Sequence, residues 1–488
     1  MRTCAAAAEL ASVLGLSENE RSTVYWTALL RSVGCTATSH EYATQLGGDD
    51  VRVRATADRA DLTTPGEALG FVAGLTAGSS LPQRIGRGAA IASRAKRVAR
   101  EGARADCEVA ARMAIRFGLG EDVEASLRDV FERWDGKGFP AGRKKEDVAF
   151  AARVSAVANA AVAASADLGA DGAADTVRRW SGRALDPGVA DAFLREQESV
   201  LGPAASDDAL EAALAAEPRP RHADAARLDE IALGFADAAD LKAPFLQGHS
   251  RGVAELAEAA AGRLGLPEDG IAALRRAALL HDLGRVAVPT GIWEKPAPLA
   301  PLEWEAVRLH PYHGERILVR SQALAALGDV AGRHHERLDG SGYHRGCRAA
   351  ELDLPARILA AADVYRALTE GRPHRAAFAP DEAARLLSAE ALDPDAVAAV
   401  LEAAGHAAPR RRSYPAGLTE REVEVLRLLA RGLSKKQIAG LLVVSPSTVH
   451  THVVHVYEKA GVSTRAGAAV FALEHGLLRG DADPAKID

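Results

Sequence analysis

Apolar residues recur at three- and four-residue spacing along most of the chain, a period that predicts helices rather than strands. Leu274, Ala277, Ala278 and His281 share one helical face, as do Ala383, Leu386 and Leu387. Glycine and proline interrupt the pattern at Gly284–Pro289, Lys295–Pro301 and Asp339–Gly346, where loops are expected. Ala, Leu and Arg dominate and β-branched runs are short, so an all-α fold is predicted. The 488 residues suggest roughly three domains of about 150 residues each. No apolar run reaches the ~20 residues of a membrane span. The start, MRTCAAAAELASVLGL, reads as an amphipathic helix rather than a signal peptide.

The pattern also repeats. ALLRSVGC at Ala28–Cys35 matches ALLHDLGR at Ala278–Arg285, an offset of 250 that Val13–Leu16 and Arg263–Leu266 share. RWDGKGFPAG from Arg133 matches RLDGSGYHRG from Arg337 at an offset of 204, as do Ala152–Val154 and Ala356–Ile358. Leu185-Asp186-Pro187 answers Leu392-Asp393-Pro394 near the end of each repeat. Two copies of one domain of about 180 residues account for this, the first with ~46 extra residues in its middle. Linkers are expected at Glu217–Pro220 and around His406–Ala416, the second carrying Pro409, Arg410 to Arg412 and Pro415.

Charge divides the chain again. Arg410–Arg479 holds 11 Lys/Arg against 5 Asp/Glu, a balance of +6, which leaves −12 for the remainder of a chain whose total is −6. A basic end on an acidic body is the footprint of a nucleic-acid module on a non-binding partner. Cys4, Cys35, Cys107 and Cys347 show no CxxC spacing, which fits reduced thiols in a cytoplasmic setting.

The candidate chemistry lies in the second copy. His249, His281-Asp282, His310, His334-His335 and Asp363 supply nitrogen and oxygen ligands of the kind that suit Mn, Fe or Zn. Any single histidine, His313 or His374 for instance, is ordinarily structural or exposed; the weight rests on the ordered set. His281-Asp282 ends an apolar run just before a glycine, and Asp363 lies in the apolar stretch Ile358–Val364, where an unpaired carboxylate is costly to bury. Two cations ~3.5–4 Å apart would offset that cost and clamp a phosphoryl oxygen for in-line displacement.

Asp240-Leu241-Lys242, Gly248-His249-Ser250, HDLGR, His310-Pro311-Tyr312-His313-Gly314, HHERLDGSGY, Ala362-Asp363 and Arg372-Pro373-His374-Arg375 together resemble the HD-GYP family, a branch of the HD phosphohydrolases, over about Ala223–Ala404. The resemblance implies an HD-type helical fold, a metal site and hydrolysis of cyclic di-GMP or a related cyclic dinucleotide. It assigns metal roles to His249, His281, Asp282, His310, His334, His335 and Asp363, with Asp282 bridging. Phe245 stands where trinuclear members place a Glu, so two divalent ions, Fe or Mn, are expected rather than three. Arg285 replaces the family's Lys; it is grouped with Asp282 as catalytic and with Tyr343, Arg366, Arg372 and Arg375 as substrate-facing. The signature GYP reads Gly342-Tyr343-His344 here. In the first copy Arg31-Ser32 stands for His281-Asp282, Val130-Phe131 for His334-His335 and Asn159 for Asp363. Residues 1–201 therefore read as a degenerate HD-GYP domain, residues 223–404 as the metal-dependent one.

Near the C-terminus, Thr419-Glu420-Arg421-Glu422 forms a capping box ahead of an apolar face of Val425, Leu426, Leu428 and Leu429. Ser434 can cap a second short helix, and Ser445-Pro446 can open a third. The run from Gly417 to Ala469 resembles the LuxR-type helix-turn-helix family, which implies a four-helix domain over residues 417–479 and Ser447–Ala460 as recognition helix. Val449, Val453 and Val456 follow core spacing, leaving His450, Thr451, Val454 and His455 outward. The resemblance puts His450, Thr451 and Val454 at base edges. Lys435, Lys436, Ser447, Thr448, His452, His455, Lys459 and Arg465 then lie near phosphates or support that surface. The expected partners are double-stranded DNA, a cyclic dinucleotide and a second copy of the chain. A regulator with a working phosphodiesterase is the first reading, and a metal- and nucleotide-sensing transcription factor without turnover is the alternative.

Overall fold

A computed structural model describes residues 1–47, 49–77, 80–406, 414–442, 444–475 and 477. These residues are helical throughout, with isolated β-bridges but no strand among them, so the all-α expectation holds. No helix among the described residues is long and apolar enough to cross a membrane. The chain forms two compact units, residues 1–407 and 408–488. The expected break at Glu217–Pro220 falls inside the first unit, whose two halves pack together. Pro409 and Arg410 to Arg412 of the second linker lie outside the described residues.

The sequence repeats coincide with elements that run in parallel. Helices Arg2–Val13 and Glu18–Leu30 precede the short 3-10 helix Val33–Thr38 in the first half. In the second half His249–Arg263 and Glu268–Leu280 precede Leu283–Ala287. Asp186 and Asp393 each cap a helix that begins with proline, Pro187–Arg195 and Pro394–Ala403. Each also binds the arginine of the other repeated block: Arg153 to Asp186 at 2.7 Å and Arg357 to Asp393 at 2.9 Å. Those repeated residues persist because they cap helices and close one packing contact. Separate cores seal the halves, one around Leu10, Val24, Val157 and Phe193, the other around Val253, Leu274, Ile358 and Leu387.

The same backbone crossing recurs in both. A Cβ on Gly284 would lie 1.9 Å from the His310 carbonyl oxygen, and one on Gly34 would lie 2.0 Å from that of Asp106. Only glycine lets the chains approach so closely. Asp106 is 204 residues before His310, so the extra segment of the first half lies between Cys35 and Asp106. It consists of Asp50–Ala57, Pro65–Leu75 and the N-terminal part of the 36-residue helix Leu81–Arg116.

That extra segment also reaches the second half. Asp50 Oδ2 accepts from Lys242 Nζ at 2.6 Å, and Asp50 Oδ1 accepts from the Thr290 backbone N–H at 2.8 Å. Both charged side chains are only 2% exposed, so neither finds water as an alternative partner.

The second unit has the expected four helices: Glu420–Ala430, Lys435–Leu441, Pro446–Ala460 and Arg465–Glu474. Thr419, Ser434, Ser445 and Thr464 cap them in turn, and Leu426, Ile438, Val449 and Val456 meet in their core.

Candidate metal centre

Helix ends deliver most of the predicted ligands to one point. His249 and His310 open the helices His249–Arg263 and His310–Leu318. His281 ends Glu268–Leu280, with Asp282 next in the chain. His334-His335 follow Ala325–Ala331, and Asp363 projects from the middle of Leu354–Thr369. His249, His281, Asp282, His310, His334 and Asp363 are essentially fully buried.

The cluster has two lobes. In the first, His249 Nε2 lies 3.1 Å from Asp363 Oδ1, and His281 Nε2 lies 3.0 Å from Asp282 Oδ2. In the second, His310, His334 and His335 gather. His310 Nε2 is 3.2 Å from Asp282 Oδ1 and 3.1 Å from His334 Nε2. Asp282 thus turns one oxygen to each lobe.

The outer ring nitrogens orient the inner ones. Nδ1 of His281, His310 and His334 donates to the carbonyls of Ala278, Val307 and Ala331 at 2.6–2.7 Å, and His249 Nδ1 faces Glu370 Oε2 at 2.8 Å. Those bonds leave Nε2 as a lone pair aimed inward, the tautomer a metal requires. Two such lone pairs 3.1 Å apart on His310 and His334 repel unless a cation lies beside them. His281 Nε2, both Asp282 oxygens and Asp363 Oδ2 are buried without a hydrogen-bond partner. The donor set and its orphaned atoms fit divalent metal ions.

Electrostatics describe the metal-free state. Burial opposes ionisation of Asp282, yet Arg285 and His281 hold its carboxyl well below the ordinary range. Asp363 is also buried and also held low, by the hydrogen bond from His249 and the nearby His281. Against its own burial, His281 is pushed up to about 10 by Asp282. Burial, helped by the charges of His281 and His310, pushes His334 down to about 3. A proton on His281 therefore balances the carboxylates, and a metal ion must displace it. Apparent metal affinity is expected to rise with pH, by about tenfold per unit while one proton is released. Competition against a coloured chelator between pH 6 and pH 9 measures this, and a flat profile would contradict it.

Around the mouth, Arg285 forms an ion pair with Asp282 at 2.8 Å and lies over Trp293, leaving its buried Nε and Nη1 without hydrogen-bond partners. The Tyr343 ring sits 4.2 Å from that of His335, and burial pushes its hydroxyl up to about 12. Arg372 lies over Phe245, the residue found where a third-metal Glu was sought. Burial, then the charge of Arg285, pushes Arg372 down to about 10. Arg366 pairs with Glu370 at 2.9 Å. Arg375 departs from its expected role, because its guanidinium donates to the carbonyls of Ala367, Leu368, Glu370 and Ala376. It staples the loop rather than facing the cleft.

Two acids escaped the sequence reading. Glu370 holds His249, Arg366 and Arg372 together. Glu336, 1% exposed, accepts from the backbone N–H groups of Arg345 and Cys347 and fixes the Gly342-Tyr343-His344 loop. Glu132 does the same for Ala141 and Gly142 in the first half, so the 204-residue offset carried the signal for Glu336. Nothing comparable marked Glu370.

The first half offers no metal cluster among the described residues. Arg31 and Ser32 replace His281-Asp282, and Arg31 lies over Phe131. Asp106, in the place of His310, pairs with Arg54 at 2.8 Å and accepts from Thr38 at 2.9 Å. An arginine neutralises the acid that remains.

In the second unit, Val449, Val453 and Val456 are buried, whereas Ser447, Thr448, His450, Thr451, Val454 and His455 are exposed and His452 is half-buried. Lys435 Nζ lies 2.7 Å from His450 Nδ1, and Lys436 is exposed. Lys459 pairs with Glu422 at 2.7 Å, and Arg465 donates to the carbonyls of Leu429 and Leu433. Those last two brace the helices beneath the surface.

Comparison with known proteins identifies both domains. The HD domain family matches residues 235–396, and the luxR family of bacterial regulatory proteins matches residues 416–472. The chain is 29% identical over 411 residues to 3′3′-cGAMP-specific phosphodiesterase 3 of Vibrio cholerae, covering 83% of this chain and 89% of that protein. A cyclic di-GMP phosphodiesterase of Pseudomonas aeruginosa is 39% identical over 160 residues, 32% of this chain and 39% of the relative. The crystal structure of a cyclic GMP-AMP-specific phosphodiesterase of V. cholerae superimposes with a TM-score of 0.55 at 25% identity, over 83% of this chain and 92% of that one. The chain therefore carries an HD domain over residues 235–396 and a luxR-type regulatory domain over residues 416–472, and it is similar to cyclic dinucleotide phosphodiesterases.

Proposed function

We propose that residues 223–404 hydrolyse a cyclic dinucleotide at a two-metal centre, that residues 417–479 bind double-stranded DNA, and that residues 1–201 are a degenerate copy without turnover. The observation that carries the reading is Asp282, buried with neither carboxylate oxygen hydrogen-bonded and with one oxygen toward each lobe of histidines. Two divalent ions, iron or manganese, would supply Lewis acidity and a strong nucleophile at neutral pH. His249, His281 and Asp363 would hold one, His310, His334 and His335 the other, with Asp282 between them. Arg285 keeps two donors free for a phosphate oxygen, Arg372 adds positive charge, and Tyr343 offers a flat face to a base. Water adds across one P–O ester bond, giving a linear dinucleotide with one terminal phosphate and one free hydroxyl.

Of the nucleotides named for the relatives, 3′3′-cGAMP is favoured, because the relative aligned across both halves is specific for it. The test is hydrolysis of 3′3′-cGAMP and cyclic di-GMP by the full chain with Mn(II) or Fe(II). The reading expects turnover of at least one, lost in His281→Ala/Asp282→Ala. Equal turnover by that variant would overturn it.

For DNA, the exposed face of Pro446–Ala460 with Lys435 and Lys436 supports major-groove docking with phosphate contacts. Affinity is expected to fall steeply with salt, and Lys435→Ala/Lys436→Ala to flatten the log–log slope by about 2. Fluorescence anisotropy across a salt series measures both, and an unchanged slope would contradict the contacts. Binding to two-fold sites implies a homodimer, which gel filtration with and without DNA checks.

A further inference from the structure

The first half contains a cavity of about 1430 Å³, bounded by helices Pro65–Leu75 and Leu81–Arg116 and by the loop Gly136–Gly142. This exceeds the roughly 300–1,000 Å³ of an ordinary small-molecule site. Its walls are apolar, with Phe71, Val72 and Phe139 among them, and five cations line it: Arg84, Lys96, Arg100, Arg104 and Lys137. No carboxylate lines it. All five cations are exposed, and none forms an ion pair among the described residues. In a chain of net charge −6, five exposed cations without an ion pair around one apolar hollow favour an anionic ligand.

The location gives the hollow a second meaning. Gly136–Gly142 is the counterpart of the Gly340–Gly346 loop that places Tyr343 beside His335, and Phe139 occupies the Tyr343 position. Gly138 and Gly342 pack equally closely on Glu132 and Glu336, so the two loops are held alike. In the first half, the extended N-terminal part of Leu81–Arg116 forms a new wall opposite this loop, and Arg100 lies 5.7 Å from the Phe139 ring centroid. The loop that borders the histidine cluster in one half thus borders a cationic hollow in the other, where Arg31, Ser32 and Asn159 stand at the positions of His281, Asp282 and Asp363.

We propose that this cavity is a non-catalytic binding site for a cyclic dinucleotide. Two phosphates would meet the cations of Leu81–Arg116 and Lys137, and the bases would stack on Phe139 and on the planar Arg100 guanidinium. The choice of a nucleotide deepens the phosphodiesterase reading, but binding here needs neither metal nor turnover. Occupancy would make the first half a sensor joined to the catalytic half through Asp50 and Lys242.

The test uses the full chain carrying His281→Ala/Asp282→Ala, titrated with fluorophore-labelled cyclic di-GMP and labelled 3′3′-cGAMP and followed by anisotropy. Saturable binding of at least one is expected, weakened about tenfold or more by Arg100→Glu/Arg104→Glu. Lys137→Glu, a change at an exposed loop position, must weaken it in the same direction, which guards against a fold defect in the arginine variant. Absence of saturable binding, or affinity unchanged in both charge variants, overturns the proposal. Hydrolysis is read separately on chains with His281 and Asp282 intact. Turnover with no binding in the first half sinks only this proposal, and binding without turnover sinks only the phosphodiesterase reading.

Discussion

Asp282→Ala is expected to reduce cyclic dinucleotide hydrolysis by about a thousandfold or more, some 4 kcal/mol of barrier. The size follows from position. Asp282 brings one oxygen to 3.0 Å from His281 in one lobe and the other to 3.2 Å from His310 in the second. Asp363 lies farther from the second lobe, its Oδ2 3.5 Å from His335. Loss of Asp282 therefore weakens both lobes at once, whereas loss of His249 or His335 weakens one. Asp282→Asn keeps the shape and removes the charge, and it should lose nearly as much, because the site needs an anion between its cations. Steady-state rates and bound metal measured on the same samples separate lost metal from lost chemistry. Retention of more than a tenth of the wild-type rate by Asp282→Asn would show that the bridge is dispensable.

Asp50→Ala should be the most damaging change in the degenerate half, costing about 3–5 kcal/mol of stability by leaving Lys242 buried without a counter-charge. The effect does not stop at the ion pair, since Asp50 also accepts from the Thr290 backbone just beyond the HDLGR segment. Asp50→Ala/Lys242→Met removes both charges and is expected to recover most of the loss, as apolar replacements of buried ion pairs often do. Urea midpoints of the two variants give the comparison. A single variant within 1 kcal/mol of wild type, or a double variant no better than the single, would mean that the halves are joined by other contacts.

What the sequence disclosed and what it hid divide along physical lines. The seven clustered His and Asp residues were legible because each stands in a short motif and the motifs follow one order; local chemistry survives in a linear string. The helix boundaries of the luxR-type domain were legible from their caps, with Thr419, Ser434 and Ser445 all found in place. Its buried and exposed positions were legible from the 3.6-residue period. The Asp50–Lys242 pair was not, because 192 residues separate the partners and Asp50 belongs to a segment with no counterpart in the second half. Glu370 was hidden for a similar reason. Its role depends on three groups brought to it by folding, His249, Arg366 and Arg372, and not on its sequence neighbours alone. Arg375 shows the converse error: a cation adjacent to the motif looked like a phosphate ligand, yet nearby carbonyls claim its donors.

The repeat itself was readable, but its meaning needed coordinates. The shared residues Arg153, Asp186, Glu132 and Gly34 have counterparts in Arg357, Asp393, Glu336 and Gly284, and every one of these closes a contact of the fold. The candidate metal ligands of the second half are among the residues that differ. The first half thus keeps these packing contacts without a counterpart of the His/Asp cluster among the described residues.

The most direct test of the metal-centre account is a count of metal. Full-length protein reconstituted anaerobically with Fe(II) or Mn(II), desalted and analysed by inductively coupled plasma mass spectrometry should hold two ions per chain. His310→Ala/His334→Ala should hold about one, since it empties the second lobe and leaves His249, His281 and Asp363 in place. A wild-type chain that retains no metal, or the same amount as that variant, would contradict a two-metal centre built on Asp282.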